Sequence, residues 1–410
     1  MRAMPDKRVT REASTTRLIL YAGKGGVGKT TIAASTAARA AARGHRTLVV
    51  STDIAHSLGD VLQADLGNDP RQVGERLFAQ EINVLEEARR SWGKVQTHMA
   101  DFLRKEGVPD VQADELAIMP GMEEVAALVQ IGRMLRSGQY DCVVVDAAPT
   151  GETIRLLSMP ESFLWYAGRF QAWRGRLMRY VGPFLRGALP DLNIIDVMGA
   201  LAHRIRDLRG ALTDARYSSY RIVVTPNSMV LKEARRAETY LNLFGYPVDA
   251  VILNRILPPQ PAGNLYIDAM TASQDRALME ITQSFATIPI FRAPLSADEP
   301  LGVAALEALG CEVFGDRDPT EVMHVGPSQQ VEKQEHGYLL RIPIPNVEID
   351  RLSLTKRGDE LYVDVGNVRR EVTLPNALAT LEPGTARMRD GMLEIPFGIM
   401  ATDVAANIGS

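Results

Sequence analysis

The sequence has few cysteines, no long apolar run and no excess of basic charge. Its 410 residues include two cysteines, Cys142 and Cys311, which allow no disulfide framework and favour a reducing compartment. No segment approaches the ~18 apolar residues of a membrane-spanning helix. Residues 1–16 mix charges without the apolar core of a signal peptide, so we expect a disordered lead-in there. With 46 Lys and Arg against 50 Asp and Glu, the net charge of −4 does not favour nucleic-acid binding. The sequence therefore predicts a cytoplasmic protein without a transmembrane segment or a nucleic-acid partner.

Apolar runs of strand length alternate with helical segments through the first three-quarters of the chain. Arg17–Ala22, an alanine-rich helix over Thr30–Arg43 and a second apolar run over Arg46–Thr52 form a βαβ unit, which implies a parallel sheet. The further candidates for buried strands are Tyr140–Asp146, Tyr220–Thr225, Val248–Asn254 and Ile288–Pro294. We therefore predict an α/β domain with a doubly wound, mostly parallel sheet over residues 17–312.

The remaining segments depart from this alternation. Residues 81–138 and 160–212 contain no strand candidates, and we predict that they are helical inserts forming a subdomain at one end of the sheet. Glycine, proline and short polar residues over 313–335 indicate a linker. Beyond it the hydrophobic period becomes two, with short strands predicted at Tyr338–Ile344, Leu352–Leu354, Leu361–Val365, Arg370–Leu374 and Met392–Ile395. These strands predict a small all-β sandwich over 336–400, followed by a tail at 401–410.

The strongest motif is a glycine-rich loop between the first strand and the first helix. It fits the pattern G-x-x-x-x-G-K-[ST], in which backbone N–H groups surround phosphate oxygens. Lys29 would reach the β- and γ-phosphates, and the Thr30 hydroxyl would bind Mg²⁺. We therefore predict a P-loop NTPase that binds a nucleoside triphosphate together with Mg²⁺. The expected nucleotide contacts in this loop are Gly23, Lys24, Gly25, Gly26, Val27, Gly28, Lys29, Thr30 and Thr31.

Two aspartates follow predicted strands beside this loop. Asp53 is placed where a carboxylate can orient or deprotonate the attacking water, although it could instead cap the following turn. Asp146 closes an apolar strand, where a carboxylate without a ligand would be costly. We therefore predict that Asp53 is catalytic and that Asp146 holds Mg²⁺ through a water molecule.

Several stretches over about 17–309 resemble the ArsA/GET family, which comprises arsenite-pump and tail-anchored-protein-targeting ATPases. DIAHSLGD at 53–60 is similar to the first switch of that family, and DAAPTGETIRLLSMP at 146–160 is similar to the second. Lys24 resembles the additional lysine of the deviant Walker A motif. The resemblance implies a homodimeric ATPase in which the catalytic Lys24 acts on the nucleotide of the partner subunit. It also implies that Asn254 contacts adenine and that Asn227, which stands where eukaryotic relatives have an acidic residue, is a further ATP contact on the adenine side.

The chain departs from the family pattern at positions that bear on its cofactors. Ile54 replaces the usual proline of the first switch, and Glu152 replaces the usual histidine of the second. The sequence has no C-x-x-C pair for a zinc shared between subunits, and it lacks the paired cysteines of an iron–sulfur protein. It also lacks the cysteine cluster that arsenite would bind. We therefore expect neither zinc nor an iron–sulfur cluster.

The helical inserts are rich in methionine and aromatic residues, which suit a surface that accepts varied apolar helices. The methionines in or beside them are Met119, Met122, Met134, Met159, Met178 and Met198. In the targeting ATPases the corresponding helices form a groove for a transmembrane segment, so our leading hypothesis is nucleotide-gated binding of hydrophobic clients. An ordinary helical core would have the same composition. The alternatives are an arsenite or oxyanion efflux ATPase with a membrane partner protein, a division-site type of positional switch, and a nucleotide-gated scaffold.

The predicted C-terminal sandwich resembles the α-crystallin fold of small heat-shock proteins. The resemblance rests on the alternating strands, the Leu374-Pro375 turn and the stretch GMLEI at 391–395. It implies a module that binds unfolded apolar segments or mediates dimerisation. A rigid docking module is the simpler alternative.

Overall fold

The larger part of the structure is a parallel sheet flanked by helices. The computed structural model describes residues 16–53, 57–83, 104, 122–147, 157, 192–259, 264–327, 329–334 and 337–398. Strands in the first part of the chain are β1 (Arg17–Ala22), β2 (Thr47–Ser51), β3 (Arg71–Gly74), β4 (Leu77–Glu81), β5 (Cys142–Asp146), β6 (Ser218–Val224), β7 (Val248–Ile256) and β8 (Ile290–Pro294). Helices are α1 (Lys29–Ala42), α2 (Ser57–Leu62), α3 (Met122–Ser137), α4 (Leu192–Thr213), α5 (Ser228–Leu243), α6 (Leu265–Ser284) and α7 (Gly302–Phe314).

The eight strands lie in the order β3-β4-β2-β5-β1-β6-β7-β8. All described pairs in this sheet are parallel except β3 with β4, which form an antiparallel hairpin at the edge. Every residue of β1, β2, β5 and β6 is buried, because helices cover both faces of a doubly wound sheet. The predicted α/β fold is confirmed, and the β3–β4 hairpin was not predicted.

The longer described parts of the two predicted inserts are helical, whereas Glu81, where the first insert was expected to begin, is the last residue of β4. These helices are α3 and α4, which pack against each other. Met134 on α3 is buried in the main core, so this methionine has a packing role. Residues 84–121 and 148–191 lie outside the described residues, apart from Arg104 and Leu157. Met119, Met159 and Met178 therefore lie outside them as well, and so do Ile54 and Glu152.

The C-terminal part is a pair of antiparallel sheets. Its strands are β9 (Gln330–Gln334), β10 (Gly337–Pro343), β11 (Leu352–Arg357), β12 (Glu360–Val365), β13 (Val368–Thr373), β14 (Arg387–Arg389) and β15 (Met392–Phe397), with a short helix α8 (Asn376–Ala379) after β13. One sheet has the order β14-β15-β10-β9 and the other β11-β12-β13. The predicted sandwich is confirmed. β9 lies within the segment expected to be a linker, and its five residues are all exposed, so no apolar alternation marked it as a strand.

The C-terminal sandwich is docked on helix α5. Leu243, at the end of this helix, is buried in the core of the sandwich. The Thr239 hydroxyl donates a hydrogen bond to the Pro345 carbonyl (2.7 Å), and the Asn346 side-chain amide donates to the Glu238 carboxylate (2.8 Å). Glu238 is 5% exposed, and burial raises its pKa from 4.5 to about 7. The junction is thus partly apolar and partly a buried polar contact.

A buried ion pair fastens the segment before the sandwich to the sheet. Arg221 of β6 and Asp249 of β7 are fully buried, with Nε and Oδ1 3.1 Å apart. The Met323 N–H donates to the second oxygen of Asp249 (3.1 Å), and Arg17 Nε donates to the Thr320 carbonyl (2.8 Å). Arg17 and Asp249 are at the amino ends of their strands. Residues 320–323 therefore lie across the amino edge of the sheet, opposite the edge that carries the glycine-rich loop.

Candidate ATP and magnesium site

The glycine-rich loop connects the carboxyl end of β1 to the start of α1, and two of its glycines meet other chain segments closely. Gly28 has φ +89°, and a Cβ there would lie 2.4 Å from the Asn254 amide nitrogen. A Cβ on Gly23 would lie 2.6 Å from the Val223 carbonyl oxygen. A larger residue at either position would displace the loop. The loop therefore has the backbone geometry that the motif predicts, closed by β6 and β7.

Lys29 is the first residue of α1, and it is 6% exposed. Its Nζ lies 3.4 Å from the Lys24 carbonyl oxygen, so the ammonium group lies along the inside of the loop. The unsatisfied N–H groups of the first helical turn and this ammonium group both favour an anion. The arrangement can bind the phosphates of a nucleotide.

The Thr30 hydroxyl and the Asp146 carboxylate are in direct contact. Thr30 Oγ1 donates to Asp146 Oδ2 (2.7 Å), and Ser51 Oγ lies 3.4 Å from the same oxygen. Burial raises the pKa of the fully buried Asp146 to about 6, against the lowering effects of the Thr30 hydrogen bond and the Lys29 charge. Asp146 Oδ1 is buried and has no hydrogen-bond partner among the described residues. A buried carboxylate oxygen without a hydrogen-bond donor is available to a cation or a bound water molecule.

These groups fit Mg²⁺, which prefers oxygen ligands and keeps several of its waters. The Asp146 carboxylate and the Thr30 hydroxyl supply hard oxygen atoms beside a phosphate-binding loop. Among the residues that the structure describes, no group of three or more His, Cys, Asp or Glu could hold a metal ion. Mg²⁺ does not need such a group, because one or two protein ligands together with substrate phosphates are its usual arrangement.

Asp53 and Ser57 of the predicted first switch lie beside this site. Asp53 follows β2, and its N–H donates to Ser51 Oγ (3.2 Å). Residues 54–56 and most of the second switch (148–156) lie outside the described residues. Ser57, the first residue of α2, lies within the predicted first switch but was not singled out as a site residue. Its Oγ is 3.1 Å from Thr30 Oγ1.

The two asparagines expected near adenine are engaged with the protein. Asn254 is 7% exposed, its amide nitrogen donates to the Val27 carbonyl (2.9 Å), and its Oδ1 accepts from the Arg255 N–H. Asn227 caps α5 by accepting from the Met229 N–H (2.9 Å). Asn254 thus holds the glycine-rich loop against β7, and Asn227 has the role of a helix cap. Adenine recognition by either residue remains a prediction.

Lys24 forms an ion pair with a residue outside its own loop. Its Nζ lies 3.7 Å from a carboxylate oxygen of Glu233 on α5, and the two side chains are 39% and 31% exposed. Lys29 and Lys24 therefore occupy different environments, one inside the loop and the other at the surface. Glu233 was not predicted as a site residue, because nothing in its local sequence distinguishes it from other helical surface glutamates.

Comparison with known proteins identifies the family. A family profile described as "Anion-transporting ATPase" matches residues 16–314. The chain belongs to the ArsA ATPase family. A second profile, "HSP20-like domain found in ArsA", matches residues 335–397. This ArsA-family chain is an ATPase with an HSP20-like C-terminal domain, so the resemblances inferred from the sequence are confirmed.

Relatives of this ArsA-family ATPase match over most of its length. A "Putative arsenical pump-driving ATPase" from Prosthecochloris vibrioformis is 36% identical over 390 residues, which cover 93% of this chain and 96% of the relative. "ATPase GET3B" from Arabidopsis thaliana is 33% identical over 321 residues, covering 71% of this chain and 77% of the relative. In the part of the chain that the structure describes, no helix is long and apolar enough to cross a membrane.

Proposed function

We propose that this ATPase works as a Mg²⁺-dependent homodimer that couples ATP hydrolysis to binding of hydrophobic, transmembrane-type client segments. The observation that carries the proposal is the separation of the two loop lysines: Lys29 lies inside the loop and Lys24 lies at the surface, 3.7 Å from Glu233. A half-exposed lysine in an ion pair beside the nucleotide site can exchange Glu233 for the nucleotide of a second subunit. Cysteine usage favours the cytoplasm as the place of action.

The hydrolytic roles follow from the contacts in the site. The loop amides and Lys29 hold the phosphates, while Thr30 and Asp146 would hold Mg²⁺, which supplies neutralisation of phosphate charge. Asp53 follows β2 on the same edge of the sheet as Asp146, so its carboxylate is the candidate for orienting the attacking water.

The test of the dimeric site is the variant Lys24→Ala. We expect turnover to be lost while binding of a fluorescent ATP analogue persists, because Lys29 and the loop amides remain. Lys232→Ala, which removes an exposed lysine next to Glu233, is the matched control. Turnover of Lys24→Ala at the wild-type rate would refute the shared site. Light scattering with ADP and with a non-hydrolysable ATP analogue then measures whether the nucleotide changes the molecular mass in solution, and hence the oligomeric state.

Client binding is tested by photocrosslinking a labelled apolar helix to the full chain. We expect the non-hydrolysable ATP analogue and ADP to give different crosslinking yields, with crosslinks in residues 119–134 or 163–198. Lys29→Ala, in which the phosphate contact is removed, should lose the nucleotide dependence. Equal yields in all nucleotide states would remove the client hypothesis and leave the ATPase assignment intact.

Oxyanion efflux is the second candidate, because several relatives are named arsenical pump-driving ATPases. Of the two cysteines, Cys142 is fully buried, and burial raises the pKa of its thiol to about 12, so it is a poor thiolate ligand. Cys311 lies on α7 and is partly exposed. Stimulation of turnover by arsenite that is lost in Cys311→Ser would favour this second function.

A further inference from the structure

A third carboxylate lies at the carboxyl edge of the sheet, next to the proposed magnesium site. Ser51 of β2 is in register with Asp146 of β5 on one side and with Glu81 of β4 on the other. Glu81 is 8% exposed, so its carboxylate is almost withdrawn from water. It is not part of the loop, the predicted switches or the proposed metal ligands.

The Glu81 carboxylate contacts the backbone of the first-switch helix. Its Oε1 accepts a hydrogen bond from the Gly59 N–H (2.8 Å). Gly59 is the third residue of α2, and the N–H groups of a first helical turn have no acceptor within their own helix. A charged acceptor makes such a hydrogen bond roughly twice as strong as a neutral one.

The chain is closely packed at this contact. A Cβ on Gly59 would lie 2.8 Å from the Ala64 carbonyl oxygen, so glycine lets the helix and the following turn approach each other. Leu58, the preceding residue, is fully buried in the main core. The Glu81 carboxylate thus binds one part of α2, while Leu58 packs another part of the helix into the main core.

The first residue of the same helix, Ser57, contacts the proposed metal site. Thr30 donates its hydroxyl proton to Asp146, so in the 3.1 Å contact between Ser57 and Thr30 the donor is Ser57. A lone pair of the Thr30 oxygen is still available for a cation. The position of α2 therefore decides whether Ser57 lies against the residue that would bind Mg²⁺.

We propose that Glu81 is a positioning residue for ATP hydrolysis: by holding the Gly59 N–H it fixes α2, and with it Ser57, against Thr30. The inference rests on the proposed Mg²⁺ site. Asp53 is connected to α2 by residues 54–56, so fixing the helix also restricts the candidate catalytic carboxylate. Glu81 acts through the helix and touches neither nucleotide nor metal.

The first measurement needs no nucleotide. Hydrogen exchange of the α2 amides is followed in the full chain for wild type, Glu81→Ala and Glu81→Gln. We expect Glu81→Ala to raise exchange at Gly59 by about tenfold, the size expected for losing a hydrogen bond to a charged group. Glu81→Gln should restore most of the protection, because its amide oxygen can accept from the same N–H. Glu75→Ala, at an exposed glutamate in the β3–β4 turn, is the matched control.

The second measurement is steady-state ATP hydrolysis at several Mg²⁺ concentrations. In Glu81→Ala we expect kcat to fall by about tenfold and the Mg²⁺ concentration at half-saturation to rise. The KM for ATP should stay within about twofold of the wild-type value, because the glycine-rich loop is untouched. A general loss of structure would not lower kcat and raise the Mg²⁺ requirement while leaving KM for ATP nearly unchanged. Ser57→Ala should reproduce the Mg²⁺ effect while exchange at Gly59 stays at the wild-type rate.

The outcomes separate the inference from the proposed site. If Asp146→Asn is inactive while Glu81→Ala matches wild type in exchange and kcat, the positioning role is refuted and the site stands. If Asp146→Asn turns over at the wild-type rate, the proposed site itself is wrong. Should Glu81→Ala fail to fold, Glu81→Gln and Ser57→Ala decide: an unchanged Mg²⁺ response in Ser57→Ala refutes the inference.

Discussion

The buried Glu238 at the junction between α5 and the C-terminal sandwich makes stability depend on pH. Burial raises its pKa from 4.5 to about 7, against the lowering effects of the Asn346 hydrogen bond and the Arg235 charge. The folded protein therefore holds this proton over a range in which the unfolded chain has released it. The free energy of unfolding falls as pH rises through this range, from about 4.5 to about 7. Above this range the loss of stability is complete.

The size of this penalty follows from the same values. A difference between 4.5 and about 7 corresponds to about 3 kcal/mol at 25 °C. In Glu238→Gln the side chain is neutral at every pH and its amide oxygen can still accept from Asn346. We expect the variant to gain free energy of unfolding relative to wild type as pH rises, by up to about 3 kcal/mol between about pH 4.5 and pH 8.

The assay is urea denaturation of the full chain at a series of pH values. The quantity compared is the difference in unfolding free energy between Glu238→Gln and wild type, so contributions from other groups, including Asp146, cancel. Glu280→Gln, at an exposed position on α6, is the control and should track wild type. Parallel pH profiles for wild type and Glu238→Gln would refute the reasoning, since the buried carboxyl would then have no altered proton affinity.

Three further predictions concern the site and the buried ion pair. Gly28→Ala should abolish binding of a fluorescent ATP analogue, because φ +89° and the 2.4 Å approach of the Asn254 amide exclude a Cβ; retained affinity would contradict this geometry. Asp249→Ala should lower the unfolding free energy by about 3–5 kcal/mol in urea denaturation, since Arg221 would be left buried and unpaired; a loss under about 1 kcal/mol would contradict it. Asp146→Asn should remove Mg²⁺-dependent turnover without lowering the melting temperature at neutral pH, because a buried carboxylate with a raised pKa is replaced by a neutral amide.

The sequence predicted the elements that are specified by contiguous residues. β1 runs from Arg17 to Ala22 as predicted, and α1 begins within a residue of the expected start, because an apolar run, glycines and alanines specify both elements in sequence. The loop with Lys29 and Thr30 is equally contiguous. β3 and β9 were missed because their residues are largely exposed and lack the alternation that marks a half-buried strand.

Contacts between distant parts of the chain could not be predicted in this way. Glu81, Glu233 and Glu238 look alike as acidic residues, yet their partners are a helix N–H, a lysine and an asparagine. Asn254 was expected beside the nucleotide, but its contact with the Val27 carbonyl depends on how β7 lies against the loop. Such roles depend on contacts between residues that are far apart in the sequence, and local sequence patterns do not reveal those contacts.

The fastening of residues 320–323 to the amino edge of the sheet limits how far the C-terminal sandwich can travel. Six residues, 324–329, separate Met323 from the start of β9. Fully extended, this tether reaches at most about 25 Å. Release of the sandwich from α5 is therefore a local event, and the two surfaces keep an effective concentration in the millimolar range or above. Contacts that would be too weak to join two separate proteins therefore suffice to keep the sandwich on α5.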